Sequence, residues 1–269
     1  MILNKTVSLS ITSCKRLPLL KRVLKSFVVF CRDLDEIDNV IFFDDSSKEE
    51  DKLEMEKLLK ELFPEKNLII EHFYQDTFPD SYRHSRILNR WREVLDETNT
   101  DFCFHLEDDY LFVDFFDIET GIRVLNFNDD CGYVSYFQSY KKFPNEYKPK
   151  TFRVNNICFW EWIYKPELPL NMHLFKDESS AIQALNGDNF WMMYINWPHF
   201  SLRPGIHDVN KLLSIGEFST SYDINNMRTE LEFAIRWSKK WKTYCHEKFM
   251  VINLAWDESQ SSYTLNNCN

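Results

Sequence analysis

Three short apolar runs constrain this chain more than anything else in it: Thr6 to Thr12, Asn39 to Phe43 and Phe102 to Leu106. Each stops at hydroxyl or acidic residues, and segments with helical periodicity separate them. After the first run, Pro18 opens a pattern carried by Leu20, Val23, Leu24, Phe27 and Val28, which reads as loop and then helix. Asn39-Val-Ile-Phe-Phe ends at Asp44-Asp45-Ser46-Ser47, a charged helix follows from about Lys48 to Phe63, and Asn67-Leu-Ile-Ile-Glu-His begins a third strand. Ile87, Leu88, Trp91, Val94 and Leu95 then mark a helix within Ser81 to Leu95, directly before the run that ends in Glu107-Asp108-Asp109. Strands alternating with helices imply an α/β chain with a mostly parallel, Rossmann-related sheet flanked by helices. In such sheets, ligands gather beyond the carboxyl ends of the strands, where the acids stand here.

The second half is less regular. Aromatic segments around Tyr133 to Tyr140 and Ile157 to Tyr164 read as further strands and as a wall on an acceptor side, Pro166, Pro169, Pro198 and Pro204 punctuate the connections, and an amphipathic helix is expected over Met227 to Trp241. With neither a linker nor a repeat, the chain reads as one domain over 1–269, its first half about 1–115 and an elaborated second half about 116–269. Aromatic content of 16% supplies ample core material, which excludes disorder.

A formal charge of −10 disfavours nonspecific nucleic-acid binding. It leaves room for a local cationic pocket, and Lys15, Arg16, Lys21, Arg22, Lys25 and Arg32 form a basic run that is either such a pocket for a phosphorylated ligand or ordinary helix surface. Seven cysteines without a short CxxC pair favour reduced thiols over a metal finger or disulfide scaffold. No sustained apolar segment opens the chain or approaches the length of a membrane span, so a cytoplasmic setting is expected, with peripheral attachment to a membrane left open.

The strongest local signal is Phe104-His-Leu-Glu-Asp-Asp-Tyr110. Three successive carboxylates repel one another unless solvent, hydrogen bonds or a cation offsets the repulsion. A hard divalent ion such as Mn2+ or Mg2+ suits such oxygens together with two phosphate oxygens; the plainer reading is a solvated acidic loop.

Together with Ser8-Leu-Ser-Ile-Thr-Ser-Cys-Lys-Arg16 and Val40-Ile-Phe-Phe-Asp-Asp-Ser-Ser47, this segment resembles the GT-A superfamily of glycosyltransferases, and glycosyltransferase family 2 in particular, over roughly residues 6 to 245. The resemblance implies a GT-A-like fold and a metal-dependent, inverting transfer of a hexosyl or pentosyl group from a nucleotide-sugar donor to a saccharide or glycan acceptor. Thr12 and Ser13 would line the nucleotide, and Arg16 closes the same loop. Asp45 would accept a hydrogen bond from base or ribose, and Arg86, on a helix that also carries Arg83 and Arg90, would contact the nucleotide. Asp109 would ligate the metal, with Glu107 or Asp108 turned toward donor hydroxyls or metal-bound water; here the family's DxD stands as Glu-Asp-Asp. A turn cap for Asp45 and a surface ion pair for Arg86 remain the plainer alternatives.

Inverting transfer also needs a carboxylate base on the acceptor side. The candidates are Asp188 in Asn186-Gly-Asp-Asn-Phe190, and Glu230 and Glu232 in Thr229-Glu-Leu-Glu-Phe233. Glu230 matches the second acid of the family's Glu-Asp base motif, whose first acid is Thr229 here. Residues two apart on a helix diverge by roughly 200°, so Glu230 and Glu232 do not share one compact site. Both also suit a helix N-terminus electrostatically without any catalytic role. His207 and His246 belong to no zinc-ligand pattern and read as loop or packing residues. Trp160, Trp162 and Trp197 are either a sugar-stacking wall or core. Competing functions are an inactive carbohydrate-binding or protein-interaction module of the same fold, and a nucleotidyl- or phosphotransferase, the last weakened by the absence of GxxxxGK[ST].

Overall fold

The computed structural model describes residues 5–73, 80–137, 150–162, 164, 198–220, 226–248 and 250–254; the side chains of 80–82 and 226–228 lie outside the description. Strands β1 (Val7–Ser13), β2 (Asn39–Asp45), β3 (Asn67–Phe73) and β4 (Phe102–Glu107) alternate with helices α1 (Leu17–Phe30), α2 (Glu49–Leu62) and α3 (Asp80–Glu97). There follow β5 (Tyr110–Phe112), α4 (Ile118–Phe127), β6 (Cys131–Ser135), β7 (Thr151–Val154), β8 (Ile157–Glu161), β9 (Gly205–Asp208), α5 (Val209–Leu213), α6 (Asn226–Ser238), β10 (Lys242–His246) and β11 (Val251–Asn253).

Nine of these strands form one sheet in the order β3-β2-β1-β4-β9-β6-β10-β8-β7, and β5 pairs separately with β11. β1, β2, β3 and β4 are mutually parallel, β9 runs antiparallel between β4 and β6, and β10 is parallel to β6. The chain therefore has the expected mostly parallel sheet flanked by helices. The C-terminal half contributes five further strands to that sheet.

Period-two patterning divides the core between the two faces. Leu9, Ile11, Val40, Phe42, Phe104 and Leu106 pack with α1, α2 and α4, centred on Phe27, which meets Phe104 and Phe112 edge-on at 5.4 Å. Ile41, Phe43, Cys103 and Tyr133 face the other way, toward Trp91 of α3 and Phe233 and Trp237 of α6. Burial of these side chains, each contributing about 1.5–3 kcal/mol, outweighs the modest intrinsic propensity of the short helices. Side chains cap the start of α4: Asp117 accepts from the Thr120 amide at 2.7 Å, and Asp33 accepts from the Ile118 and Glu119 amides at 2.8 Å each, together satisfying its first turn.

Several expectations need adjustment. The last helix ends at Ser238, and Trp241 leads into β10 instead of continuing it. Of the three tryptophans read as either a sugar-stacking wall or core, Trp160 and Trp162 are buried with their rings stacked at 6.3 Å, as core packing requires; Trp197 lies outside the described residues. The basic run does not form one pocket. Arg16 is buried at the strand ends, Lys21 pairs with Glu54 at 2.5 Å, and Arg22 and Lys25 are exposed on α1. His207 is fully buried and stacked on Tyr133 at 4.3 Å, and His246 is buried beside Phe159. The described cysteines are free thiols. No helix among the described residues is long and apolar enough to cross a membrane.

Candidate active site

The carboxyl ends of β1, β2 and β4 converge because their registers align. Thr12 stands beside Glu107, and Ser13 beside Asp44. Beyond them, β4 turns sharply: the Asp108 amide donates to the Thr12 carbonyl at 3.1 Å, and the chain re-enters as β5 at Tyr110. The three acids therefore lie on one tight turn, yet their environments differ.

Asp108 is completely buried and fully engaged. It accepts from the Ser13 hydroxyl at 2.7 Å, the Cys14 amide at 3.1 Å and Arg16 Nε at 3.2 Å, and a second Arg16 nitrogen closes on its other oxygen. Burial pushes its carboxyl up to about 6, with Arg16 opposing that rise. The remaining Arg16 nitrogen donates to Asp109 Oδ2 at 3.2 Å. Burial works against the Arg16 charge, but Asp108, Asp109 and Glu107 hold it firmly protonated. Ser13 and Arg16 thus fasten the acidic turn to the β1 loop.

Asp109 is less committed. Its Oδ1 is buried without a hydrogen-bond partner among the described residues. Burial raises its carboxyl, while Arg16 and, more weakly, Arg203 lower it. Glu107 is raised well above the ordinary carboxylate range, first by burial and then by Asp109 and Glu230. An unpartnered buried oxygen beside a second carboxylate is a hard, anionic donor set that fits Mg2+ or Mn2+ better than a soft metal. Among the described residues, no three His, Cys, Asp or Glu side chains group as a metal cage.

Glu230 comes from a separate element. It lies in the first turns of α6, accepts from the Leu202 amide at 3.3 Å, and is close enough to Glu107 to raise that carboxyl. Its own carboxyl is raised by burial, against the opposing charge of Arg203. The neighbouring Thr229 hydroxyl meets Ser85 of α3 at 3.2 Å, which anchors the start of α6. Glu232 points to solvent, as helical geometry requires of a residue two positions on. Asp188 lies outside the described residues.

On the other flank, Asp45 ends β2 and forms a close ion pair with buried Arg83, while Arg86, one turn further along α3, is exposed. Burial raises the Asp45 carboxyl, and Arg83 opposes that rise. The neighbouring turn is braced by Asp44, which accepts from the Ser47 amide at 3.3 Å and meets His72 Nδ1 at 3.2 Å. Arg90 is occupied on the surface by Glu71 at 2.7 Å and Glu97 at 2.8 Å.

Two arginines at the site therefore went unassigned in the sequence. Arg83 had a partial signal, since it shares the helix with Arg86 and stands nearer the helix start. Arg203 lies in Phe200-Ser-Leu-Arg-Pro-Gly-Ile206, a segment that resembles the terminal portion of similar transferases, but its own role depends on β9 entering the sheet beside β4. Thr12, Ser13, Arg16 and the three acids meet at the carboxyl ends of β1 and β4, Glu230 comes close to Glu107, and Arg86 and Glu232 are exposed.

No family model and no curated protein matches the chain. Solved structures do match it. The mannosyltransferase PcManGT from Pyrobaculum calidifontis, in complex with GDP-Man and Mn2+, superposes with a TM-score of 0.55 at 12% identity, covering 98% of this chain and 61% of that one. S. aureus TarS 1-349 in complex with UDP gives a TM-score of 0.54 at 9% identity, covering 91% and 59% respectively. This chain spans about three fifths of the length of those structures. The likeness is one of fold, the GT-A type.

Proposed function

We propose that this chain is a nucleotide-sugar glycosyltransferase, similar to those of family 2, whose first half, about 1–115, binds the donor and whose second half, about 116–269, receives a saccharide acceptor within one domain. The observation that carries the reading is that Glu230, brought in by α6 and held at the Leu202 amide, lies close enough to Glu107 of the acidic turn to raise that carboxyl. Leaving-group and acceptor chemistry need separate carboxylates, and this arrangement supplies them on separate elements. The bound ligands of the two structures of like fold, GDP-Man with Mn2+ in one and UDP in the other, support a donor of this class.

In this reading, Thr12 and Ser13 line the nucleotide, the Asp45–Arg83 pair offers a carboxylate to its base or ribose, and Asp108 is held by Arg16 as the fixed floor of the turn. Asp109, with Glu107 beside it, would hold a divalent cation, the remaining ligands coming from the diphosphate and water. When bound, Mn2+ or Mg2+ supplies charge neutralisation for the departing diphosphate. Glu230 takes the proton from an acceptor hydroxyl as that oxygen bonds to the anomeric carbon and the bond from that carbon to the diphosphate oxygen breaks. One displacement from the face opposite the leaving group inverts the anomeric centre.

The test is calorimetric titration of UDP, GDP and dTDP with and without Mn2+, on the wild type and Asp109→Asn, followed by a transfer assay with the sugar nucleotides of whichever base binds. Mn2+-dependent binding lost in Asp109→Asn, with donor consumption lost in Glu230→Gln, is expected. Binding of a finished glycan with no affinity for any nucleotide would overturn the transferase reading in favour of a carbohydrate-binding module.

A further inference from the structure

The loop that enters β9 is built to hold Glu230. Leu202 donates its amide to the Glu230 carboxylate, and the next residue, Arg203, sets its guanidinium 4.7 Å over the Phe137 ring. Phe137 meets Tyr110 edge-on at 5.3 Å, and Tyr110 directly follows Asp109. The loop backbone is pinned from β6: the Tyr133 hydroxyl donates to the Arg203 carbonyl at 2.7 Å, and the Tyr136 amide donates to the Pro204 carbonyl at 2.9 Å. A cation seated on an aromatic face above a fixed backbone keeps its direction at little entropic cost. Its charge is felt by Glu230 and by Asp109 together.

Resting on the transferase reading above, we propose that Arg203 is a positioning residue that acts through Glu230, aiming that carboxylate at the acceptor hydroxyl across from the acidic turn. Arg16, by contrast, is bound to Asp108 and Asp109 of the acidic turn. An arginine that serves the base alters turnover and leaves nucleotide affinity intact. One that serves the diphosphate alters affinity.

The experiment follows release of UDP and GDP from UDP-N-acetylglucosamine and GDP-mannose with Mn2+, water acting as acceptor, and measures UDP and GDP affinity by calorimetry. Arg203→Met is expected to lower kcat about 10- to 100-fold, the scale on which a misplaced catalytic group acts, with donor KM and nucleotide Kd within about twofold of wild type. Arg203→Lys should recover part of the loss. Arg203→Met added to Glu230→Gln should slow the enzyme no further than Glu230→Gln alone, because the effect runs through that carboxylate. If Arg203→Met does not fold, Arg203→Lys in the wild-type and Glu230→Gln backgrounds gives the same comparison. A tenfold rise in nucleotide Kd, or losses that multiply in the double variant, would overturn the assignment. Glu230→Gln that turns over normally removes both the base and its positioning residue while nucleotide binding stands. A wild type that neither binds nucleotide nor consumes donor removes the transferase reading, and this inference with it.

Discussion

Arg16 holds Asp108 from two sides while a third nitrogen of the same guanidinium reaches Asp109, so one cation fastens two successive acids to the β1 loop. The two acids are not equivalent in consequence. Arg16→Met leaves Asp108 buried without its ion-pair partner, and a loss of about 3–5 kcal/mol is expected in urea unfolding. Asp109→Asn breaks only one contact and should cost about 1 kcal/mol or less. Equal losses in the two variants would show that Arg16 serves the acids alike.

Glu107 gives a pH signature of defined sign. Its carboxyl is raised in the folded chain by burial, Asp109 and Glu230, so the native state retains a proton that the unfolded chain has released. Stability contributed by this group is therefore present at low pH and lost as pH rises through the folded value. Glu107→Gln should make the ligand-free protein more stable than wild type at pH 8, with the advantage shrinking toward pH 5. Melting curves across that range check this, and parallel curves would refute it.

The buried histidines work in the opposite direction. Burial lowers His105 to about 3 and His207 well below its ordinary value, and both His207 nitrogens lack hydrogen-bond partners among the described residues. Below about pH 6.5 the unfolded chain takes up protons that the native chain refuses, at about 1.4 kcal/mol per pH unit for each ring. His207→Phe, which preserves the stack on Tyr133, should flatten the loss of stability between pH 6.5 and 4 by one ring's share. Urea midpoints for variant and wild type, compared at each pH, isolate the term from that of the carboxylates.

Gly205 opens β9 where no side chain fits. A Cβ there would stand 2.4 Å from the Val134 carbonyl oxygen, a backbone atom with nowhere to go, so Gly205→Ala should cost about 1–3 kcal/mol and disturb the adjacent Arg203 loop. Gly216 offers the contrast: its nearest neighbour would be Arg236 at 3.7 Å, and the cost of alanine arises from a φ of +88°, about 1 kcal/mol. Chemical denaturation of both variants, with donor turnover measured for Gly205→Ala, separates crowding from backbone strain.

The parallel strands were legible because a continuous apolar run, buried on both faces, and an acidic terminus coincide in β2 and β4, and α1 shows its apolar stripe in sequence. The acidic turn was legible for the same reason, as was the divergence of Glu230 from Glu232. What stayed hidden depends on contacts remote in sequence. Nearness to the helix start is the only local difference between Arg83 and Arg86 until Asp45 selects one of them, and Trp160 and Trp162 fit a sugar platform or core equally until β8 takes its position against β10. β9 is only four residues long, and its pairing with β4 and β6 has no local marker.

That short strand also bears on how the chain emerges from the ribosome. β4 gains its second neighbour only when residues 205–208 arrive, about a hundred residues after β4 itself has been synthesised. Until then the nascent sheet carries an open edge along its central apolar strand, the kind of surface that pairs with other chains. Synthesis halted before residue 205 should therefore yield a product that associates through β4, and emergence of β9 closes that edge, leaving β6 and β8 to await β10.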